Sequence, residues 1–252
     1  MIVYSKRRLR IAELHFDEQG PVPKVDIVRY QSRPEKERGS VSYPQATILI
    51  DLQKTPDELL GEMSKTTRNE IRRAAKDELT FEFTAKADDK AISQFFTFYD
   101  EFARMKGLDG LNRERLTGMR DCESLVLSRV KSADGTVLVW HCYVSARRRA
   151  RLNHSASLFR AVDKAQQAVT SRANRYLHWM DMLELRDRGF TVYDFGGWYD
   201  GQEDVEKLNI NKFKEGFGGQ VTQQYNTDRG VTLKGLLAVH LRHAASAFRG
   251  KR

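Results

Sequence analysis

Two hydrophobic rhythms divide this chain of 252 residues into strands and helices. Alternation with a period of two, rich in β-branched and aromatic side chains, marks residues 9–16, 25–30, 46–52 and 79–84 as strands. The turn signal Gly20-Pro21-Val22-Pro23 separates the first two, and residues 31–39 read as a polar linker containing a turn. Helical spacing takes over elsewhere. Thr55-Pro56-Asp57-Glu58 opens a helix as a capping box with proline at the first helical position, and Gly61 marks its weak point. A second helix is expected at 65–76. Residues 88–106 carry Ile92, Phe95, Phe96, Tyr99 and Phe102 near one side and stop at Gly107, which predicts a long helix. A loop and a short helix fill 108–121.

In the second half, strands at 124–130 and 136–144 flank Asp134-Gly135, a hairpin turn signal. A third strand, 150–158, follows an arginine-rich turn at 147–149. A long helix at 164–188 ends before Gly189; a strand at 191–195, a short helix, a strand at 219–225 and a helix at 233–248 complete the chain. Three antiparallel strands between a helix pair and a long helix give an α+β outline of acyltransferase type rather than a dinucleotide-binding one. The expected organisation is an N-terminal extension of short strands packed on the main domain at 1–40, the main domain at 41–230, and a helix with a basic tail at 231–252.

Composition narrows the function classes. With 40% apolar and 31% charged residues the chain reads as soluble and globular, and no run of 18 apolar residues exists to span a membrane. The basic start MIVYSKRRLR lacks the hydrophobic run of a signal peptide, so a cytoplasmic protein is expected. Cys122 and Cys142 have neither redox nor zinc-ligand spacing and read as free thiols. No histidine pair has zinc-site spacing, so no metal centre is expected. The net charge of +9 favours a polyanionic partner: RNA, an anionic lipid surface or a phosphate-bearing substrate.

Two stretches carry candidate chemistry. Lys65, Arg68, Arg72 and Lys76 fall within about 80° on a helical wheel, opposite Met63, Thr67, Ile71 and Ala74. This is either a solvated face or an electrostatic contact for phosphate. The second stretch is Tyr193-Asp-Phe-Gly-Gly197 followed by Asn211-Lys-Phe-Lys-Glu-Gly-Phe-Gly-Gly219. Gly196-Gly197 lets the backbone turn at a strand end, a favoured ligand position. Trp198 and Tyr199 offer flat walls for an acceptor or simply cover core. Asp194 either orients an amine or satisfies backbone donors. Lys214 suits stabilisation of the oxyanion that develops when an amine attacks an acyl carbonyl. Phe213 beside it excludes water or stacks on a ring. Both also suit ordinary roles as a surface charge and a core anchor. His141, His154 and His178 read as structural, with His154 a base only if it points into a groove.

The segments ATILIDLQKTPDELLGEMSKTTRNEIRRAAKDELTFEF, RANRYLHWMDMLELRDRGFTVYDFGG and LNINKFKEGFGG resemble, in this order, the second acyltransferase domain of the Fem family. The likeness spans roughly residues 43–226. Fem proteins are aminoacyl-tRNA-dependent transferases that build peptidoglycan cross-bridges, with relatives in natural-product biosynthesis, and have the GNAT-type acyltransferase fold. The resemblance implies tRNA as a partner and aminoacyl-tRNA as donor, with no cofactor. It puts the family's Phe-Lys pair, which lies by the aminoacyl end of the tRNA, on Phe213 and Lys214, and its basic helix on residues 65–76. The chain departs from the family in having no room before residue 40 for a first acyltransferase domain and no long helical hairpin arm. This implies an acceptor amine other than a long peptidoglycan precursor: a small molecule, a peptide or a different cell-wall or polysaccharide precursor. The acyl-CoA pyrophosphate loop of ordinary GNAT enzymes, Arg/Gln-x-x-Gly-x-Gly/Ala, is missing from residues 158–167, which contain no glycine. The alternatives to a tRNA-fed transferase are an acyl-CoA-dependent N-acyltransferase and a non-catalytic RNA-binding protein on the same scaffold.

Overall fold

A computed structural model describes residues 1–38, 41–158 and 163–249, the last five of these by backbone alone. The chain opens with strands β1 (Ile2–Lys6), β2 (Leu9–His15), β3 (Ile27–Arg33) and β4 (Val41–Asp51), then the helix pair α1 (Pro56–Glu62) and α2 (Lys65–Ala74). Strand β5 (Thr80–Thr84) precedes helices α3 (Asp89–Lys106) and α4 (Arg113–Asp121), and strands β6 (Leu125–Lys131), β7 (Val137–Ala146) and β8 (Arg149–Ser157) follow. The remainder is α5 (Lys164–Asp187), β9 (Val192–Trp198), α6 (Val205–Glu215), β10 (Gln220–Gly230) and α7 (Leu233–Arg249). The fold is α+β, with mixed, mostly antiparallel strands flanked by helices, in GNAT-type architecture.

Local chemistry sets the helix ends where the pattern placed them. Thr55 and Glu58 form the capping box of α1, Asp88 caps α3, and Gly107 closes α3 in the left-handed conformation. Several elements differ from expectation. β1 was not anticipated, because a run of five residues ending in a basic turn carries too little alternation. Residues 31–33 continue β3 instead of starting a linker, since Gln31 pairs with His15 of β2 and Arg33 with Tyr225 of β10. Helix α2 stops at Ala74, leaving Lys76 beyond its end. Gly196-Gly197 does not turn the chain at a strand end: both residues lie inside β9.

The chain forms two compact units, with β4 and β10 each running from one into the other. In the smaller unit (Met1–Thr47, Asn112–Cys122 and Thr222–Arg252) the strand order is β1-β2-β3-β10-β4. The β2–β3 pair is parallel, and β1–β2 and β3–β10 are antiparallel. Buried Glu13 on β2 accepts from Arg115 of α4 and from Tyr4 (3.0 Å), and this network fixes α4 in place.

The larger unit (Ile48–Leu111 and Glu123–Val221) orders its strands β4-β9-β8-β7-β6-β5. β5 to β8 are antiparallel, and β8 pairs with β9 in parallel. Helices α5 and α3 cover opposite faces. On the α5 side Tyr143, Met182, Leu185, Tyr193, Phe195 and Phe217 share one buried cluster, each large apolar side chain contributing about 1.5–3 kcal/mol. On the α3 side Phe95 packs on Trp140. A bulge in β8 decides which of its residues face which helix. Tyr143 is opposite Leu152 while Cys142 is opposite His154, so Asn153 is the extra residue. Leu152 and Ser155 therefore face the α5 side, and His154 turns to α3.

Candidate active site

The larger unit holds a cavity of ≈ 440 Å³ bounded by the C-terminal half of α3, β8, α5, β9 and α6. Phe102, Met105, Leu152, Phe195, Ile210 and Phe213 form its apolar wall. Asn174, His178 and Lys214 supply polar atoms, and an ion pair between Lys106 and Glu206 (2.6 Å) sits on the wall as well. Asp204 caps α6 by accepting from the Lys207 amide, which sets the helix so that Phe213 and Lys214 face the cavity.

Lys214 donates its ammonium to the Gly197 carbonyl of β9. Burial pushes its pKa down to about 8; the nearby Arg151 charge acts in the same direction and Asp194 opposes it. A lysine so placed is cationic at neutral pH but weakly solvated, which strengthens its pull on developing negative charge. The Phe213 ring lies under the Arg175 guanidinium at 4.9 Å and touches the rings of His178 and Phe217, with centroids 5.5 and 5.4 Å apart.

His178 is one end of a buried polar chain. Its Nδ1 is 2.6 Å from the Tyr193 hydroxyl, which is 2.9 Å from the Tyr143 hydroxyl, which donates to Asp181 Oδ2 at 2.5 Å. A carboxylate only accepts, so the direction of every proton follows. Tyr143 gives its proton to Asp181 and must accept from Tyr193; Tyr193 must accept from His178 Nδ1–H. The imidazole proton is thereby fixed on Nδ1, and Nε2 keeps its lone pair with no hydrogen bond from the described residues. Burial, together with His141, Lys214 and Arg175, holds the His178 pKa well below the usual histidine range, so the ring is neutral at physiological pH. Burial likewise raises Tyr143 and Tyr193 well above the usual phenol range and keeps both protonated. His141 joins the chain through Nδ1 to Asp181 Oδ2 (2.8 Å) and Nε2 to Asn174 (2.9 Å).

Two glycines allow the close approaches this site requires. Gly196 has φ +73°, and an added Cβ would lie 2.7 Å from the Leu152 carbonyl oxygen. Gly219, at φ +85°, would place one 2.5 Å from the Leu49 carbonyl oxygen. Gly196→Ala is expected to cost about 2 kcal/mol or more, read as a lowered midpoint in denaturant, because strain and clash coincide. An unchanged midpoint would show that β9 moves freely away from β8.

The structure brings Phe213 and Lys214 together with His178 and Asn174, which the sequence reading did not assign to the site. Other expected residues lie elsewhere. Strand alternation puts Asp194 on the face opposite Tyr193 and Phe195, where it accepts from Arg149, Arg151 (2.9 Å) and the Gly196 amide (2.8 Å). Its carboxylate anchors β9 instead of facing an amine. His154 packs against Tyr99, ring centroids 5.0 Å apart, and does not line the cavity because of the bulge at Asn153. Trp198 packs on the main core. Tyr199 is held through its backbone by Asn211, and Lys207 lies over its ring at 4.9 Å. On α2, Lys65 and Arg72 are exposed, as is Lys76 beyond its end. Arg68 is engaged with the Leu60, Gly61 and Met63 carbonyls at the end of α1. The Ser64 amide bonds the Gly216 carbonyl at 2.9 Å, which seats the first turn of α2 against the end of α6. No group of three or more His, Cys, Asp or Glu that could hold a metal ion occurs among the described residues. In the same residues, no helix is long and apolar enough to cross a membrane. Residues 159–162, within the stretch lacking the pyrophosphate loop, lie outside the described residues.

No family model and no curated protein matches the chain. Solved structures do. The crystal structure of FemX aligns at TM-score 0.60 and 15% identity, covering 77% of this chain, which spans 63% of that one. The C-terminal domain of a putative lysylphosphatidylglycerol synthetase from Agrobacterium fabrum aligns at TM-score 0.54 and 15% identity, over 84% of this chain and 70% of that one. L-PGS from Bacillus licheniformis aligns at TM-score 0.53 and 13% identity, over 85% and 72% respectively. At these identities the likeness establishes a shared fold.

Proposed function

We propose that this chain is an N-acyltransferase that moves an aminoacyl group from aminoacyl-tRNA to an amine, forming an amide. The observation that carries the reading is the Phe213–Lys214 pair on the wall of an apolar cavity, its ammonium desolvated and held by the Gly197 carbonyl of β9. The amine nitrogen attacks the ester carbonyl carbon, the carbonyl oxygen takes up negative charge, and the bond to the ribose oxygen breaks. Lys214 stabilises the oxyanion. His178 Nε2 accepts the proton lost by the amine and returns it to the departing ribose oxygen. Phe213, Phe195 and Ile210 exclude water from the ester. Asp194 serves as a positioning residue by fixing β9 and so the Gly197 carbonyl that holds Lys214.

Two further observations favour RNA over coenzyme A as the carrier. Exposed Lys65 and Arg72 lie on the helix whose first turn abuts the end of α6, where they suit RNA phosphates. The N-terminus of α5, the helix behind the missing pyrophosphate loop, is capped by the Asp163 carboxylate, which accepts from Gln166 N at 2.9 Å. That negative charge disfavours a diphosphate there. The name lysylphosphatidylglycerol synthetase, carried by one structure of this fold, agrees with transfer of an aminoacyl group. Acceptor candidates are amines on a small molecule, a peptide or a cell-wall or polysaccharide precursor.

The test is to offer the purified protein a charged tRNA pool or a mixture of acyl-CoA thioesters together with a panel of amines, and to detect amides by mass spectrometry. Product from charged tRNA that disappears on ribonuclease treatment is expected. Product from the thioesters alone would assign coenzyme A as carrier. Tight tRNA binding without any product would leave RNA binding as the activity.

A further inference from the structure

The smaller unit carries a helix mounted with its leucines outward. Helix α7 docks through small and polar contacts. Gly235 lies so close to Asp26 that an added Cβ would come within 1.9 Å of its carbonyl oxygen, and Val239 is 3% exposed. Asp26 also accepts from Thr232 Oγ1 (2.8 Å) and pairs with Lys234 (3.0 Å), while Arg242 pairs with Asp228 (3.1 Å). These contacts fix the rotation of the helix. They leave Leu233, Leu237 and Leu241, one turn apart and within about 80° on the wheel, facing solvent at 87%, 62% and 61% exposure. An amphipathic helix ordinarily buries such a stripe.

The charges in the segment that carries the stripe have one sign. After Asp228 the sequence contains no acidic residue, and it carries six lysines and arginines from Arg229 to Arg252. The exposed turn between β1 and β2 adds Lys6, Arg7 and Arg8, and Lys234 donates to the Arg8 carbonyl (3.3 Å), which places that turn beside the start of α7. We propose that α7 and the β1–β2 turn form a docking surface for an anionic lipid bilayer. The leucine stripe enters the boundary of the acyl chains, and the flanking cations meet lipid phosphates. A second copy of the chain is a poor occupant, because it would press two cation-rich segments together. An RNA backbone matches the cations but gains nothing from three leucines.

The test is co-sedimentation of the full chain with vesicles of phosphatidylcholine alone or mixed with phosphatidylglycerol. Binding to the mixed vesicles only is expected. Leu237→Ser with Leu241→Ser should weaken it by about tenfold or more. Arg7→Gln and Arg8→Gln should each weaken it about fivefold. Thermal melts of the variants confirm that these exposed positions leave the fold intact. Absence of binding to the mixed vesicles overturns the proposal. So does binding that survives the leucine changes, which would mark a general polyanion site, or a stable dimer lost on those same changes. None of these outcomes depends on the transfer reaction, so they leave the proposed activity untouched.

Discussion

Replacing Lys214 with methionine is expected to lower amide formation by about 10²–10³-fold while stabilising the fold at pH 7 by about 1–3 kcal/mol. Both effects come from one desolvated ammonium. Its pKa in the folded protein, about 8, lies below the ordinary 10.5, so the native state binds that proton more weakly than the unfolded chain does. The lysine therefore opposes folding below about pH 8, and the penalty fades as pH rises towards 10.5. Solvent reaching the partly buried side chain screens part of this penalty. Methionine fills similar space without the charge. Denaturant melts of both proteins across this pH range should show the variant ahead at pH 7 and the gap closing in alkali. A variant less stable than the parent at pH 7, or a gap indifferent to pH, would show the ammonium to be well solvated and unsuited to the role assigned here.

His178→Gln is expected to lower turnover by about 10²–10⁴-fold, the range for loss of a general base. Tyr193→Phe should cost less, about tenfold, because it removes the acceptor that pins the proton on Nδ1 without removing the imidazole. Tyr193 is a positioning residue in this sense. Packing damage alone would also slow the proposed reaction, so a second readout is needed. Added imidazole should restore part of the activity of His178→Gly, since the missing side chain leaves space against Phe195, Phe213 and Phe217. Affinity for tRNA should stay unchanged in each variant. Activity in His178→Gln close to that of the parent would remove this residue from proton transfer.

Much of the fold was legible because its signals are local. The capping box at Thr55, the amphipathic face of α3 and the Asp134-Gly135 turn each involve residues a few positions apart. The glycine setting around Phe213 and Lys214 was legible, since Gly196 and Gly219 are needed where β9 nears β8 and the chain after α6 nears β4. His178 was not. Its partners sit on β7, α5 and β9, and only tertiary packing brings Tyr143, Asp181 and Tyr193 into one chain. A signal was nonetheless present. Asn174, His178 and Asp181 stand at i, i+4 and i+7 on one face of a helix whose other buried residues are largely apolar. A polar stripe on a buried face implies partners across the core. The face of His154 was hidden for a different reason: one inserted residue at Asn153 reverses it, and alternation along β8 gives no warning of it. The ion pairs of Asp194 were not legible because sequence shows neither Arg149 nor Arg151 beside it in the neighbouring strand.

The central claim is that a charged Lys214 drives acyl transfer in this cavity, and the rate of transfer from charged tRNA in a single turnover, followed against pH, tests it most directly. The ammonium is required, so the rate should fall as pH rises through about 8. In Lys214→Arg, where the charge persists at any accessible pH, the remaining rate should show no such fall. A fall with the same midpoint in both proteins, or none in the parent, would contradict the assignment.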